Sequence, residues 1–131
     1  MTKPHVVADV LRVISDEKAL ELFRAIGPAN VDSASLRRKT KLTRKQYYSR
    51  LLRMTRSGLV KRKNGKYVLT AFGKVVYDAQ NTIQNAIRNY WEISTIDSLE
   101  MFNELPKEDR QKLIDALIQN PEIKQILAKG L

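Results

Sequence analysis

Apolar positions recur with helical spacing along most of this chain, and the one stretch that departs from it is short. Val6 to Ile14 carries aliphatic residues at 6, 7, 10, 11, 13 and 14, the pattern of a short amphipathic helix. Ser15 or Asp16 can cap a second helix, whose Ala19, Leu20, Leu22, Phe23 and Ile26 make an inward face, and Gly27-Pro28 stops it. Asn30 to Asp32 reads as a connector. Ser33 or Ser35 then starts a short polar helix through Thr40, and Lys41-Leu42 turns into the next one. That helix, expected over 43–57, opens with a capping box, Thr43 followed three residues later by Gln46. Tyr47, Leu51 and Met54 fall at i, i+4 and i+7 along it, and Gly58 suits the left-handed position just past its end. Here the period changes. Leu59 to Lys63 and Lys66 to Thr70 flank Asn64-Gly65, the pair that a two-residue type I′ hairpin turn demands.

From Ala71 to Ser94 the helical period returns and predicts one long helix. Val76, Ala79, Ile83, Ala86, Tyr90 and Ile93 are spaced 3, 4, 3, 4 and 3 apart, a heptad seam that Ile87 and Trp91 would widen. Small Ala79 and Ala86 would let a second helix approach closely, so Val76, Ala79, Ile83, Ala86, Ile87, Tyr90 and Trp91 are the expected dimer contacts. The last third reads as short amphipathic helices. Asp97 or Ser98 can cap one ending near Leu105, Pro106 with Glu108 and Asp109 suits the first turn of another, and Leu113, Ile114, Leu117 and Ile118 repeat along its face. Asn120-Pro121 places a cap before proline at the first helical position, with Ile123, Ile126 and Leu127 on the inner side of a final helix. The expected architecture is mainly α with a small β-hairpin, divided as 1–73, 74–94 and 95–131.

Charge adds a partner to this picture. Between Ser33 and Tyr77 there are fourteen Lys or Arg and no Asp or Glu, whereas the remaining residues hold ten basic against fourteen acidic. A segment so one-sided repels itself unless a polyanion neutralises it, and clustered positive charge with a pI near 10.0 is the footprint of nucleic-acid binding. On the predicted helix 43–57, Lys45, Ser49, Arg53 and Arg56 lie opposite the apolar stripe, with Arg44 and Tyr48 on the flank. The absence of cysteine removes disulfides and thiolate zinc sites, and His5 alone makes no histidine cluster. No apolar run reaches the ~18 residues of a membrane span, and Asp9 interrupts any leader-like stretch at the start, so a cytoplasmic protein is expected.

The stretch SxLRRKTKLTRKQYYSRLLRMTRSGLVKRKNGKYVLTAFG resembles the winged helix-turn-helix of prokaryotic, particularly archaeal, transcription regulators. The resemblance covers about residues 8 to 77. It rests on a leucine-rich helix running into Gly58-Leu59-Val60 and on a hairpin ending in Tyr67-Val68-Leu69-Thr70-Ala71-Phe72-Gly73. It implies that helix 43–57 is a recognition helix for the major groove and that the hairpin 59–70 is a wing on the backbone or in the minor groove. Arg44, Lys45, Tyr48, Ser49 and Arg53 would approach base edges, with Arg37, Arg38 and Lys41 on phosphates and Lys61, Arg62, Lys63, Asn64 and Lys66 on the wing. Poor alternation in Leu59 to Lys63 leaves open which wing residues face DNA.

The expected function is a homodimeric DNA-binding transcription regulator, associated with the nucleoid and needing no cofactor. The alternatives are a sequence-tolerant architectural chromatin protein of the winged-helix coiled-coil type, or a protein-docking winged helix in transcription machinery, since this fold serves several ends. The near-neutral C-terminal helices could complete a dimer, cover the core or recruit a protein partner. Catalysis has little support. Asp97, Glu100 and Glu104 align on one helical face without a histidine or lysine to complete a metal site, and no phosphate-binding loop is present. A small-molecule pocket lined by Tyr77, Tyr90, Trp91 and Phe102 is conceivable, but aromatic residues at helical spacing are more often core.

Overall fold

The computed structural model describes residues 6–27, 32–99 and 101–129. It is mainly helical with one two-stranded antiparallel sheet. Helix α1 spans Val7–Val13, α2 Glu17–Ile26, α3 Ser33–Thr40 and α4 Arg44–Arg56, followed by strands β1 Val60–Lys63 and β2 Lys66–Leu69. Then come α5 Ala71–Arg88, α6 Tyr90–Ser98, a 3-10 turn Phe102–Glu104, α7 Lys107–Leu117 and α8 Pro121–Ala128. The chain divides into two compact units, Met1–Asp78 and Ala79–Leu131.

Most boundaries follow from local hydrogen bonds. Asp16, rather than Ser15, caps α2, accepting from the Ala19 amide at 2.8 Å. Asp32 caps α3 by accepting from the Ser35 amide at 2.8 Å, so neither Ser33 nor Ser35 is the cap expected there. The carboxylate wins because, as a charge-assisted acceptor, it holds an orphan amide more strongly than a hydroxyl does. Pro28 and Asn30, expected in the stop and the connector, lie outside the described residues. Around α4 both halves of the capping box form: the Gln46 amide donates to Thr43 Oγ1 at 3.2 Å and the Thr43 amide to Gln46 Oε1 at 3.1 Å.

The far end of α4 is closed by a Schellman motif. The Leu59 amide donates to the Met54 carbonyl at 2.9 Å and the Gly58 amide to that of Thr55 at 3.1 Å, with Gly58 at φ 81 and Leu59 and Met54 both buried. The strands then pair Val60 with Leu69, Lys61 with Val68, Arg62 with Tyr67 and Lys63 with Lys66. Positive φ at both Asn64 (53) and Gly65 (76) gives the two-residue turn its primed geometry. Thr70 caps α5 by accepting from the Gly73 amide at 2.8 Å, and its hydroxyl donates to the Gly58 carbonyl. One threonine thus ties the end of α4 to the start of α5.

The first unit has one core: Val10, Ile14, Leu22, Phe23, Ile26, Leu36, Tyr47, Leu51, Met54, Leu59, Val60 and Leu69 meet within it. Tyr77 packs on this core with its ring edge-on to Phe23 at 5.9 Å. In the second unit, Ile96, Phe102, Ile114, Ile118 and Ile123 form a smaller core, with Leu113, Leu117 and Leu127 partly buried against it. Ile126, expected inside, is exposed. It lies about 60° around α8 from Ile123 on one side and Leu127 about 40° on the other, and only Leu127 packs against the core.

Two expected elements are corrected. The long helix predicted to Ser94 is broken at Asn89, whose φ −104 and ψ 23 leave the helical region, and α6 continues to Ser98. Asp97 and Ser98 therefore end a helix instead of capping one, and only the 3-10 turn precedes Leu105.

Candidate nucleic-acid interface

Helix α4 separates its residues by chemistry. Tyr47, Leu51 and Met54 are buried, while Arg44, Lys45, Tyr48, Ser49, Arg53 and Arg56 are exposed on the remaining circumference. Tyr47 is fixed twice: it is fully buried, and its hydroxyl shares a hydrogen bond of 2.9 Å with Ser33, which links α4 to the start of α3. Burial pushes the Tyr47 phenol up from its ordinary value, outweighing the opposite pull of the Ser33 hydrogen bond. The Tyr47 ring in turn lies edge-on to Tyr48 at 5.1 Å, which steadies an otherwise exposed aromatic.

Arg50, in the same helix, is held apart from the exposed cations. It donates to Asp16 at 3.3 Å through both Nε and one terminal nitrogen and is only partly exposed, so it clamps α4 to the cap of α2. Slight burial pushes Asp16 up, but the Ala19 amide and Arg50 outweigh it and hold its carboxyl below the usual range. Asp32 is lowered too, chiefly by the amide and hydroxyl of Ser35. Both acids sit beside the basic segment and are engaged in capping.

The hairpin register sorts its basic residues by face. Directly paired residues share a face. Val60 and Leu69 are buried, so Arg62 and Tyr67, two positions along, point to the same side, and Lys61, Lys63 and Lys66 to the other. Arg62 rests over the Tyr67 ring at 5.7 Å, within cation–π range. Lys61, Arg62, Lys63 and Asn64 are exposed and Lys66 half-buried, its backbone bridged to Asp32 at the start of α3. Arg38 and Lys41 are exposed and Arg37 half-buried; Lys41 takes φ 55 at the end of α3. Every expected basic contact thus lies in the first unit, on α3, its C-cap Lys41, α4 or the hairpin.

The expected dimer residues do not form one uniform seam. Val76 packs against the first core and Ala86 against the second, whereas Ala79, Ile83, Ile87, Tyr90 and Trp91 are exposed. Tyr90 and Trp91 meet edge-on at 5.3 Å. Of the residues considered for a small-molecule pocket, Tyr77 belongs to the first core and Phe102 to the second, while Tyr90 and Trp91 are open to solvent. An open apolar groove of about 420 Å³ lies instead along Ser98, Leu99, Met101, Phe102, Leu105 and Leu113. Among the described residues no group of His, Cys, Asp or Glu could hold a metal ion; Glu100 lies outside them. None of their helices is long and apolar enough to cross a membrane.

One exposed residue of α4 was not singled out by its chemistry in the sequence. Leu52 projects on the outward side together with Lys45, Ser49 and Arg56. No protein-family model, no curated protein and no solved structure matches this chain.

Proposed function

We propose that this protein is a homodimeric DNA-binding transcription regulator whose first unit is a winged helix-turn-helix. In this reading α3 and α4 are the two helices of the motif, α4 enters the major groove and the β1–β2 hairpin is the wing. The observation that carries it is the run from Ser33 to Tyr77, with fourteen cations and no acid, borne on a helix of groove-compatible size and the hairpin after it. Arg44 and Arg53 would donate bidentately to guanine. Lys45, Arg37, Arg38, Lys41 and the outer-face Lys61, Lys63 and Lys66 would meet phosphates, which position the protein without reading sequence. The exposed apolar residues Ile83, Ile87, Tyr90 and Trp91 would join two copies, and the nucleoid would be its place in the cell.

The test is a fluorescence-anisotropy titration on duplex DNA across salt concentrations, followed by competition with random duplex. If a dimer neutralises ~8 phosphates, log K falls with log salt with a slope of about −7. A regulator prefers its operator by roughly 10³ or more. A ratio near one would replace regulation with sequence-tolerant coating of DNA, and affinity absent at moderate salt would remove the DNA partner altogether.

A further inference from the structure

The outward side of α4 is not wholly cationic. Tyr48 is 48% exposed and Leu52 49%, and as an i, i+4 pair they stand next to each other along the helix. At about 100° per residue, Leu52 falls between Tyr48 and Ser49 on the wheel, close to the direction opposite Tyr47, Leu51 and Met54. Lys45 and Arg56 lie on the same outward side, and Arg44 and Arg53 flank it. An apolar strip is thus bordered by cations.

Resting on the DNA-binding reading above, we infer that Leu52 and Tyr48 form an apolar reader of pyrimidine C5-methyl groups in the major groove, carried in ordinary DNA by thymine. The C5-methyl is the one apolar group that base pairs present there, and aliphatic or aromatic side chains are its natural contacts. Burying Leu52 against a methyl removes apolar surface from water on both partners, whereas facing it to a phosphate gains nothing. Flanking cations set the strip over base edges by engaging the phosphates on either side. Tyr48 is suited to this because its edge-on contact with the buried Tyr47 ring restricts its motion before DNA arrives. The strip therefore favours thymine-containing sites, beyond any guanine contacts made by Arg44 and Arg53.

The experiment selects preferred duplexes from a random pool and remakes them with deoxyuridine in place of thymine, which deletes only the methyl. Affinity falls about fourfold for each methyl contacted, the factor that burying one such group is worth. In Leu52→Ala, which keeps helix propensity, the thymine-to-deoxyuridine ratio falls towards one while the salt slope is unchanged. Equal affinity of the wild type for both duplexes, with salt-dependent binding intact, overturns the inference and leaves the DNA-binding reading standing. An undiminished ratio in Leu52→Ala also overturns it. Loss of DNA binding on every duplex overturns both.

Discussion

Single side chains hold the elements of the first unit together. Tyr47 is fully buried, and its hydroxyl is hydrogen-bonded to Ser33 at 2.9 Å. Tyr47→Phe removes that bond while keeping the ring in place, so urea denaturation should register a loss of about 0.5 to 1.5 kcal/mol. Ser33→Ala would leave the phenol unsatisfied in the interior and should cost at least as much. Asp16 and Asp32 act at the opposite end of the pH scale. Both have folded pKa values below the ordinary 3.8, so the stability they lend is present above that value and lost as pH falls through the folded pKa values. Acid titration of Asp16→Asn with Asp32→Asn should therefore show a flatter decline below pH 3.8 than the wild type, read by circular dichroism. On DNA, Arg53→Ala should relax base preference by ~1 to 3 kcal/mol, while Lys63→Ala should weaken binding alike on every sequence. The reverse pattern in competition assays would exchange the roles of α4 and the hairpin.

At the scale of elements, the hairpin and the entry to α5 depend on two glycines for different reasons. Gly65 needs its positive φ of 76 but has open space around it, so Gly65→Ala should cost only the conformational penalty, about 1 to 2 kcal/mol. Gly73 sits where any Cβ would run into the Leu59 carbonyl, which is backbone and cannot swing away. Gly73→Ala should therefore lower the thermal midpoint much further than Gly65→Ala, and a comparable shift for both would mean that the contact between α5 and the bend is looser than described. These same elements were the legible ones. The capping box at Thr43 and Gln46, the Gly58 terminator and Asn64-Gly65 each work through neighbours a few residues away, so their chemistry is written locally. The break at Asn89 was not legible, because no proline or glycine marks it. Ile93 and Ile96 pack on the second core, and that packing lies outside anything a heptad count samples. For the same reason Val76 and Ala86, on the expected seam by spacing, are partly buried against different cores. Leu52 was not legible because residue type does not separate it from Leu51, its buried neighbour in the same helix.

At the scale of the whole molecule, the two units differ in charge. Residues 1–78 hold eighteen Lys or Arg against six Asp or Glu, and residues 79–131 hold six against eight. The nearly neutral second unit exposes Ile83, Ile87, Tyr90 and Trp91, with Ile87 69% and Trp91 78% accessible, and apolar clusters of this kind mark protein contacts. Low net charge there removes the repulsion that would keep two copies of so basic a chain apart. If these residues join two copies, Ile87→Asp places a carboxylate where it must be desolvated on association, and sedimentation should report the 15.1 kDa monomer instead of twice that mass. The mutant should melt as the wild-type monomer does, because Ile87 contributes little to either core. Trp91 supplies an independent readout, being the only tryptophan. Its emission should shift to the blue as wild-type concentration rises and stay fixed in Ile87→Asp. The salt slope on DNA should also fall by about half, since one monomer neutralises half the phosphates. An unchanged mass with an unchanged emission maximum would show that these apolar residues serve something other than self-association, and the basic unit would then have to read DNA as a single copy.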